Sequence, residues 1–193
     1  MIPANTRGQG GIIVRYGDTD AAHVLSVYAD LRCPYCKRME LGLGAVMESA
    51  ADEGGFAIDH HFATFIDDSA GGSGSMEALA ALGAAADEGQ KPFMHYLRAL
   101  YADQPSEDVD AFSDRENLLR LAGEVEALHS DAFRQKVRER TYLPWAAQVS
   151  AAFQSSGVRS TPTVLIDGAP VPVINDLGYA VTPEAFLAEV APP

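Results

Sequence analysis

The tightest constraint on this chain is a junction of three residues between a strand and a helix. The run "HVLSVYAD" ends at Asp30, a helix opens at Pro34, and "LRC" stands between them. Residues 23–30 are rich in β-branched, aromatic and apolar side chains, which suits a buried strand. From Pro34, "PYCKRMELGLGAVMESAADEG" sets Met39, Leu43, Val46 and Met47 at helical spacing and stops at Gly54 and Gly55. Proline fits a helix's first position because the N–H it lacks has no partner there. Both cysteines of the chain, Cys33 and Cys36, fall in this junction.

Three uses of such a pair can be weighed: a staple, half of a metal site, or a reagent. With 193 residues and a hydrophobic fraction of 47%, the chain can build one core without cross-links. A bridge between Cys33 and Cys36 closes so small a loop that it contributes well below the roughly 3 kcal/mol of a fifteen-residue loop. Zinc needs four ligands, and His23, His60, His61, His95 and His129 show no paired spacing. Neighbouring His60 and His61 would point to opposite faces of a strand. No metal and no cofactor is therefore expected. The reagent reading fits the position, since free amides and the positive end of the helix dipole favour a thiolate on Cys33. Cys36 follows within one turn and can attack a mixed disulfide formed on Cys33, so Cys33 is the expected nucleophile and Cys36 the resolving thiol. A Cys33 pKa near ~5 would stabilise the thiolate by roughly 2.7 kcal/mol at pH 7, on the order of 60 mV toward an oxidant. Lys37 and Arg38, in the same turn, can add to that effect.

The remaining chain alternates in kind. Strands are expected at Ile12 to Tyr16 and at residues 56–66, where Phe56, Ile58, His60 and Phe62 share one side. The stretch "DDSAGGSGS" at 67–75 reads as a loop, and helices follow to about residue 156. They cover Met76 to Asp87, Pro92 to Tyr101, a stripe of Leu118, Leu121, Val125 and Leu128 behind a Ser113/Glu116 capping box, a helix capped by Ser130, and one beginning at Pro144. Beyond Gly157, "TPTVLI" is a strand, Asp167-Gly168 a hairpin turn, and "PVPVI" a returning strand. A last helix is capped by Thr182 with Pro183 at its first position.

Three stretches, "VYADLRCPYC", the helical run from about 73 to 156, and "GVRSTPTVLIDG", together resemble the DsbA-like branch of the thioredoxin superfamily. The resemblance implies an α/β thioredoxin fold with an inserted helical domain. Residues 1–66 and 157–193 would form the thioredoxin-like domain, and 67–156 the insertion with its connecting helix. It makes Pro162 the family's cis-proline beside the cysteines, with Thr161 before it offering its backbone to an extended substrate. Pro34, Tyr35, Thr161 and Pro162 are then the substrate-contacting residues. Asp30, three residues before Cys33, is the candidate proton acceptor for the resolving thiol. Pro34-Tyr35 is the dipeptide typical of glutaredoxins, whereas the best-known DsbA enzymes carry histidine second, so the direction of exchange stays open.

The expected function is thiol-disulfide exchange with protein or peptide thiols and disulfides, with a further redox partner resetting the pair. Alternatives are glutathione-linked isomerase or transferase chemistry on the same scaffold, and a non-catalytic redox-sensing or binding module. A net charge of -13 leaves no basic footprint for nucleic acid. No stretch approaches the twenty apolar residues of a membrane span. The chain as given is expected in the cytoplasm, or alternatively secreted or anchored after loss of a leader.

Overall fold

The computed structural model describes residues 1–191. Its strands are β1 (Thr6–Arg7), β2 (Ile13–Tyr16), β3 (Val24–Asp30), β4 (Ala57–Ala63), β5 (Thr163–Ile166) and β6 (Ala169–Pro170). They form one mixed sheet in the order β1-β2-β4-β3-β5-β6. β3 pairs parallel with β4 and antiparallel with β5, Leu25 facing both Ile58 and Ile166. The helices are α1 (Pro34–Asp52), α2 (Phe65–Ala70), α3 (Gly74–Glu88), α4 (Gln90–Asp103), α5 (Arg115–Ala122), α6 (Asp131–Arg138), α7 (Leu143–Ser155) and α8 (Pro183–Val190).

Strand alternation divides the core. Leu25, Val27 and Ala29 of β3 and Ile58, His60 and Phe62 of β4 are buried, and together with Met39 and Met47 of α1 and Met94 and Leu97 of α4 they make one layer. Phe93 of α4 meets both His60 and Phe62 edge to face, at 5.2 and 6.3 Å. On the opposite face Tyr28 stacks on His61 at 4.3 Å and meets Phe153 of α7. His60 and His61 thus point to opposite faces, as alternation requires. The N-terminal arm is held by Trp145, fully buried in α7, whose indole N–H donates to the Gly11 carbonyl at 2.8 Å.

Several local expectations change. The presumed loop at 67–75 contains the last residues of α2 and the start of α3, with capping carboxylates both from within it and from distant Asp30 and Asp110. Asp30 accepts from the Ile66 N–H, Asp67 from Ser75 and Met76, and Asp110 from Ser73 and Gly74. The cap of α5 is Asp114, which accepts from Glu116 N–H, while the Ser113 hydroxyl donates to the Asp110 carbonyl. α5 ends at Ala122, so Val125 and Leu128 are buried from a following turn and not from one helical stripe. The returning strand stops at Pro170, with Pro170 and Pro172 lacking the N–H that a longer ladder needs. Val171 N–H still reaches the Val164 carbonyl at 2.9 Å. In α1 the buried face comprises Cys36, Met39, Glu40, Leu43, Gly44, Met47, Glu48 and Ala51, with Val46 half-buried at its edge. The Ser130 and Thr182 caps and the Asp167-Gly168 turn, φ 49° and 86°, match expectation. Residues 192 and 193 of the expected thioredoxin-like domain lie outside the described residues.

Asp67 carries two tasks, capping α3 and pairing with the buried Arg32 at 2.9 Å. Asp67→Ala is expected to lower the unfolding free energy by about 2 kcal/mol, because it removes one of the two carboxylates paired with the buried Arg32 and leaves the Ser75 and Met76 amides without their acceptor. Exposed Asp68→Ala should stay within about 0.5 kcal/mol; urea denaturation of both variants checks this.

Candidate active site

Cys33 stands where β3 has ended and α1 has not begun. With φ −72° and ψ 121° it is the helix N-cap, and its N–H donates to the Asp30 carbonyl at 3.0 Å. Its carbonyl takes the first helical bond, from Lys37 N–H at 3.1 Å. Both thiols are free and buried, Cys33 at 5% exposure and Cys36 at 0%.

Although 128 residues separate them, the Cys33 thiol donates to the Thr161 carbonyl at 3.5 Å. The Thr161–Pro162 peptide bond is cis. Thr161 Oγ1 is enclosed beside the sulfurs and has no other hydrogen-bond partner. The structure therefore brings Cys33, Cys36, Pro34, Thr161 and Pro162 to one place. Tyr35, at 46% exposure, lies on the rim.

The two thiols differ in acidity for identifiable reasons. Donation from the Cys36 thiol, opposed by burial and aided by Thr161 and the Cys36 and Tyr35 amides, lowers the Cys33 pKa to about 6. Burial, followed by the neighbouring Cys33 sulfur, pushes the Cys36 thiol well up. At pH 7 Cys33 is mostly thiolate and Cys36 is protonated. The resulting stabilisation of the dithiol form is roughly 1 kcal/mol, on the order of 30 mV, smaller than the expectation from a pKa near ~5. Lys37 and Arg38 are engaged elsewhere. Lys37 Nζ donates to the Gln104 carbonyl at 2.6 Å, and the Arg38 guanidinium lies over the rings of Tyr35 and Tyr179 at 5.1 and 5.7 Å.

Asp30 is fully buried, and burial raises its pKa to about 6 against the hydrogen bonds it accepts. Its carboxylate receives Ser75 Oγ at 2.6 Å, Arg32 N–H at 3.0 Å and Ile66 N–H at 3.2 Å. By strand alternation it shares a face with Tyr28, away from α1.

Other residues that shape the site carried no sequence signal of their own. Gln104, buried just past α4, donates its amide to the Leu31 carbonyl at 2.7 Å and the Cys33 carbonyl at 3.2 Å. Arg32 donates to the Gly71 carbonyl at 2.8 Å and the Glu107 carbonyl at 2.7 Å, binding the junction to the segment after α2 and the segment before α5. Both bridge long sequence separations, which periodicity cannot report. Glu40, one turn after Cys36, is buried on the apolar face of α1 although charged.

The alkylation rate of the reduced protein should rise with pH through a midpoint near 6 and level off above it, at Cys33 alone. Cys36→Ala removes the principal donor and should move that midpoint up toward the ordinary thiol value. A depressed folded pKa stabilises the dithiol fold fully above the unfolded thiol value of 9.0 and loses that contribution as pH falls to about 6. The urea midpoint of the reduced protein relative to the oxidised should accordingly increase between pH 6 and 9.

A sequence model described as thioredoxin matches residues 10–186. No curated protein matches by sequence. Among solved structures, the chain is similar to the reduced disulfide bond oxidoreductase DsbG of Mycobacterium tuberculosis, with 26% identity over 94% of this chain and 87% of that one, at a TM-score of 0.76. Reduced DsbA of the same organism matches with 25% identity over 92% and 90%, at 0.73. The thiol-disulfide oxidoreductase MdbA of Actinomyces oris shares the fold at 21% identity over 98% and 94%, at 0.75. With its Cys-Pro-Tyr-Cys pair at the head of α1, this chain belongs to the thioredoxin family and is a DsbA-like thiol-disulfide oxidoreductase.

Proposed function

We propose that the enzyme exchanges disulfides with protein or peptide substrates, Cys33 being the nucleophile and Cys36 the resolving thiol. The observation that carries this reading is the asymmetry of the pair: an acidified sulfur at a helix N-cap facing the Thr161 carbonyl, and a fully enclosed partner one turn below. In the oxidising direction a substrate thiolate attacks Cys33 Sγ of the disulfide, and Cys36 leaves as a thiolate that must be protonated. A second substrate thiolate then attacks the substrate sulfur, releasing Cys33 as a thiolate. Reduction runs through the same atoms in reverse.

The surroundings favour a peptide over a small thiol. Tyr35, Leu177 and Tyr179 are exposed at 46%, 80% and 64% near the α1 N-terminus, giving an apolar rim that an extended chain can cover. Thr161 is proposed to offer its backbone to that chain, and Pro34 and Pro162 to line its path. Asp30, with three donors on its carboxylate, is proposed to hold the junction in place. The residue ranges 1–66 with 157–193, and 67–156, are proposed as thioredoxin-like and helical units, supported by α3 to α6 lying between β4 and β5 in the chain.

A Cys33 pKa of about 6 lies between those of thioredoxin, about 7, and DsbA, about 3.5. The pair is therefore proposed to have a potential between about −270 and −120 mV, its direction set by the partner that resets it. Net oxidation requires an oxidising compartment, which favours an exported setting over the cytoplasm. No helix among the described residues is long and apolar enough to cross a membrane.

Cys33→Ser should abolish insulin reduction and dithiol-peptide oxidation and trap no partner. Cys36→Ser should accumulate mixed disulfides through Cys33. Unchanged turnover in both variants would remove the proposal. Equilibration against a glutathione buffer measures the potential, and a value outside the stated interval contradicts the tuning argument.

A further inference from the structure

On the rim of the site a cation is held in place by neutral groups alone. Arg38, five residues after Cys33, is exposed on α1, and its Nη1 donates to the Gly178 carbonyl at 2.5 Å. Its guanidinium carbon lies 5.1 Å from the ring centre of Tyr35 and 5.7 Å from that of Tyr179. Two rings and one carbonyl thus orient the group, so less rotamer freedom is left to lose when it binds a ligand. The chain carries 27 acidic residues against 14 basic ones, and nine of the basic ones pair with carboxylates. Against that excess of acid, Arg38 forms an ion pair with none of the described residues, and Nη1 is the only one of its nitrogens hydrogen-bonded among them.

The groups that hold Arg38 are themselves fixed. Residues 175–179 close a tight loop in which Asn175 N–H donates to the Tyr179 carbonyl and Gly178 N–H to the Asn175 carbonyl, both at 2.8 Å. Asn175 Oδ1 accepts from the Leu177 and Tyr179 amides at 3.0 and 3.1 Å. The loop lies hard against α1. Gly178, at φ 80°, leaves little room for a Cβ, which would stand 3.0 Å from Arg38 Nη1 and 3.2 Å from the Tyr35 ring. At Gly42, one turn further along α1, a Cβ would meet that of Ala180 at 2.6 Å. Leu177 and Tyr179, on either side of Gly178 in the chain, remain exposed.

We propose that Arg38 is a specificity-determining residue that takes a side-chain carboxylate of the peptide joined to Cys33, so that the enzyme selects substrates with an acidic residue at a set distance from the reacting cysteine. This rests on the exchange reading above, with Cys33 as the nucleophile. A guanidinium with a free edge is a fork for a carboxylate, and the other edge and the faces of this one are already committed. Its position sets where the acid must lie. Five residues of helix rise about 7.5 Å, and an extended chain advances about 3.3 Å per residue. The carboxylate therefore belongs two or three residues from the substrate cysteine. A net charge of -13 repels acidic peptides as a class, and Arg38 reverses that repulsion only locally. Selection thus falls on an acid at this spacing and not on acidity in general.

The test uses Cys36→Ser protein, in which a mixed disulfide on Cys33 persists, and measures the equilibrium between glutathione and single-cysteine peptides at that sulfur by mass spectrometry. Each peptide carries Glu, Gln or Lys at one position, from one to six residues before or after its cysteine, and each constant is divided by that for the same peptide and glutathione free in solution. Glu should exceed Gln by about threefold to tenfold at two or three residues from the cysteine, on at least one side, and lose that advantage at six. Adding Arg38→Met should bring the Glu-to-Gln ratio to one or below, Arg38→Lys should keep part of it, and Arg38→Glu should favour the Lys peptide. An unchanged ratio in Arg38→Met overturns the proposal. So does an equal loss for the Glu, Gln and Lys peptides, which would make Arg38 only the latch of residues 175–179. Failure of Cys36→Ser to form a mixed disulfide with any peptide would instead remove the reading on which the proposal rests.

Discussion

The arrangement depends on one carboxylate at the end of the central strand. Asp30 accepts from Arg32 in its own loop, from Ile66 at the start of α2 and from Ser75 in α3, while its carbonyl receives Cys33 and Tyr101. A single residue thus fixes the strand, the redox motif and the entry to the helical segment relative to one another. Arg32 continues this network outward through Asp67 and Asp110, whose carboxylates also cap α3. Buried charge of this kind adds little net stability over apolar packing, but removing one member exposes the others to a large penalty. Its main effect here is to fix geometry.

That geometry explains how two chemically identical side chains become different reagents. Cys33 gains a thiol donor and backbone amides that stabilise its anion, whereas Cys36 is fully buried and remains protonated. Proximity to Lys37 or Arg38 is unnecessary, and both side chains turn outward to other partners. The acidification is moderate because burial of Cys33 works against it. A more exposed sulfur with the same donors would be a stronger acid, but it would lose the enclosure that keeps solvent from the reacting atoms.

What could be read from residues alone follows the range of the forces involved. β3, the first turn of α1, the Asp167-Gly168 turn and the Ser130 and Thr182 caps depend on residues within a few positions, and their sequence signals were sufficient. α2 escaped because "DDSAGGSGS" is a poor helix former by itself, and the carboxylates that meet the helix starts around it include Asp30, 36 residues before Ile66, and the distant Asp110. The Ser113 cap failed by one position, where Asp114 offered a better acceptor for the same amides. In "PVPVI" the apolar alternation suggested a strand, but two prolines remove the donors that pairing requires. At the site, the cysteines and Thr161-Pro162 were legible through motif and order, whereas Gln104 and Arg32 act across more than 35 residues and leave no local trace.

The contact between Cys33 and Thr161 spans 128 residues, and β3 finds β5 only when residues 163–166 are present. During synthesis from the N-terminus, both thiols emerge long before the loop that faces them. Until then Cys33 lacks the Thr161 carbonyl that faces it in the folded protein. The site is therefore completed late: the four-residue motif supplies the thiol and amide donors that acidify Cys33, and the closed sheet adds Thr161. A chain that ends before residue 161 carries the motif's sulfurs and their local donors without the loop that faces them.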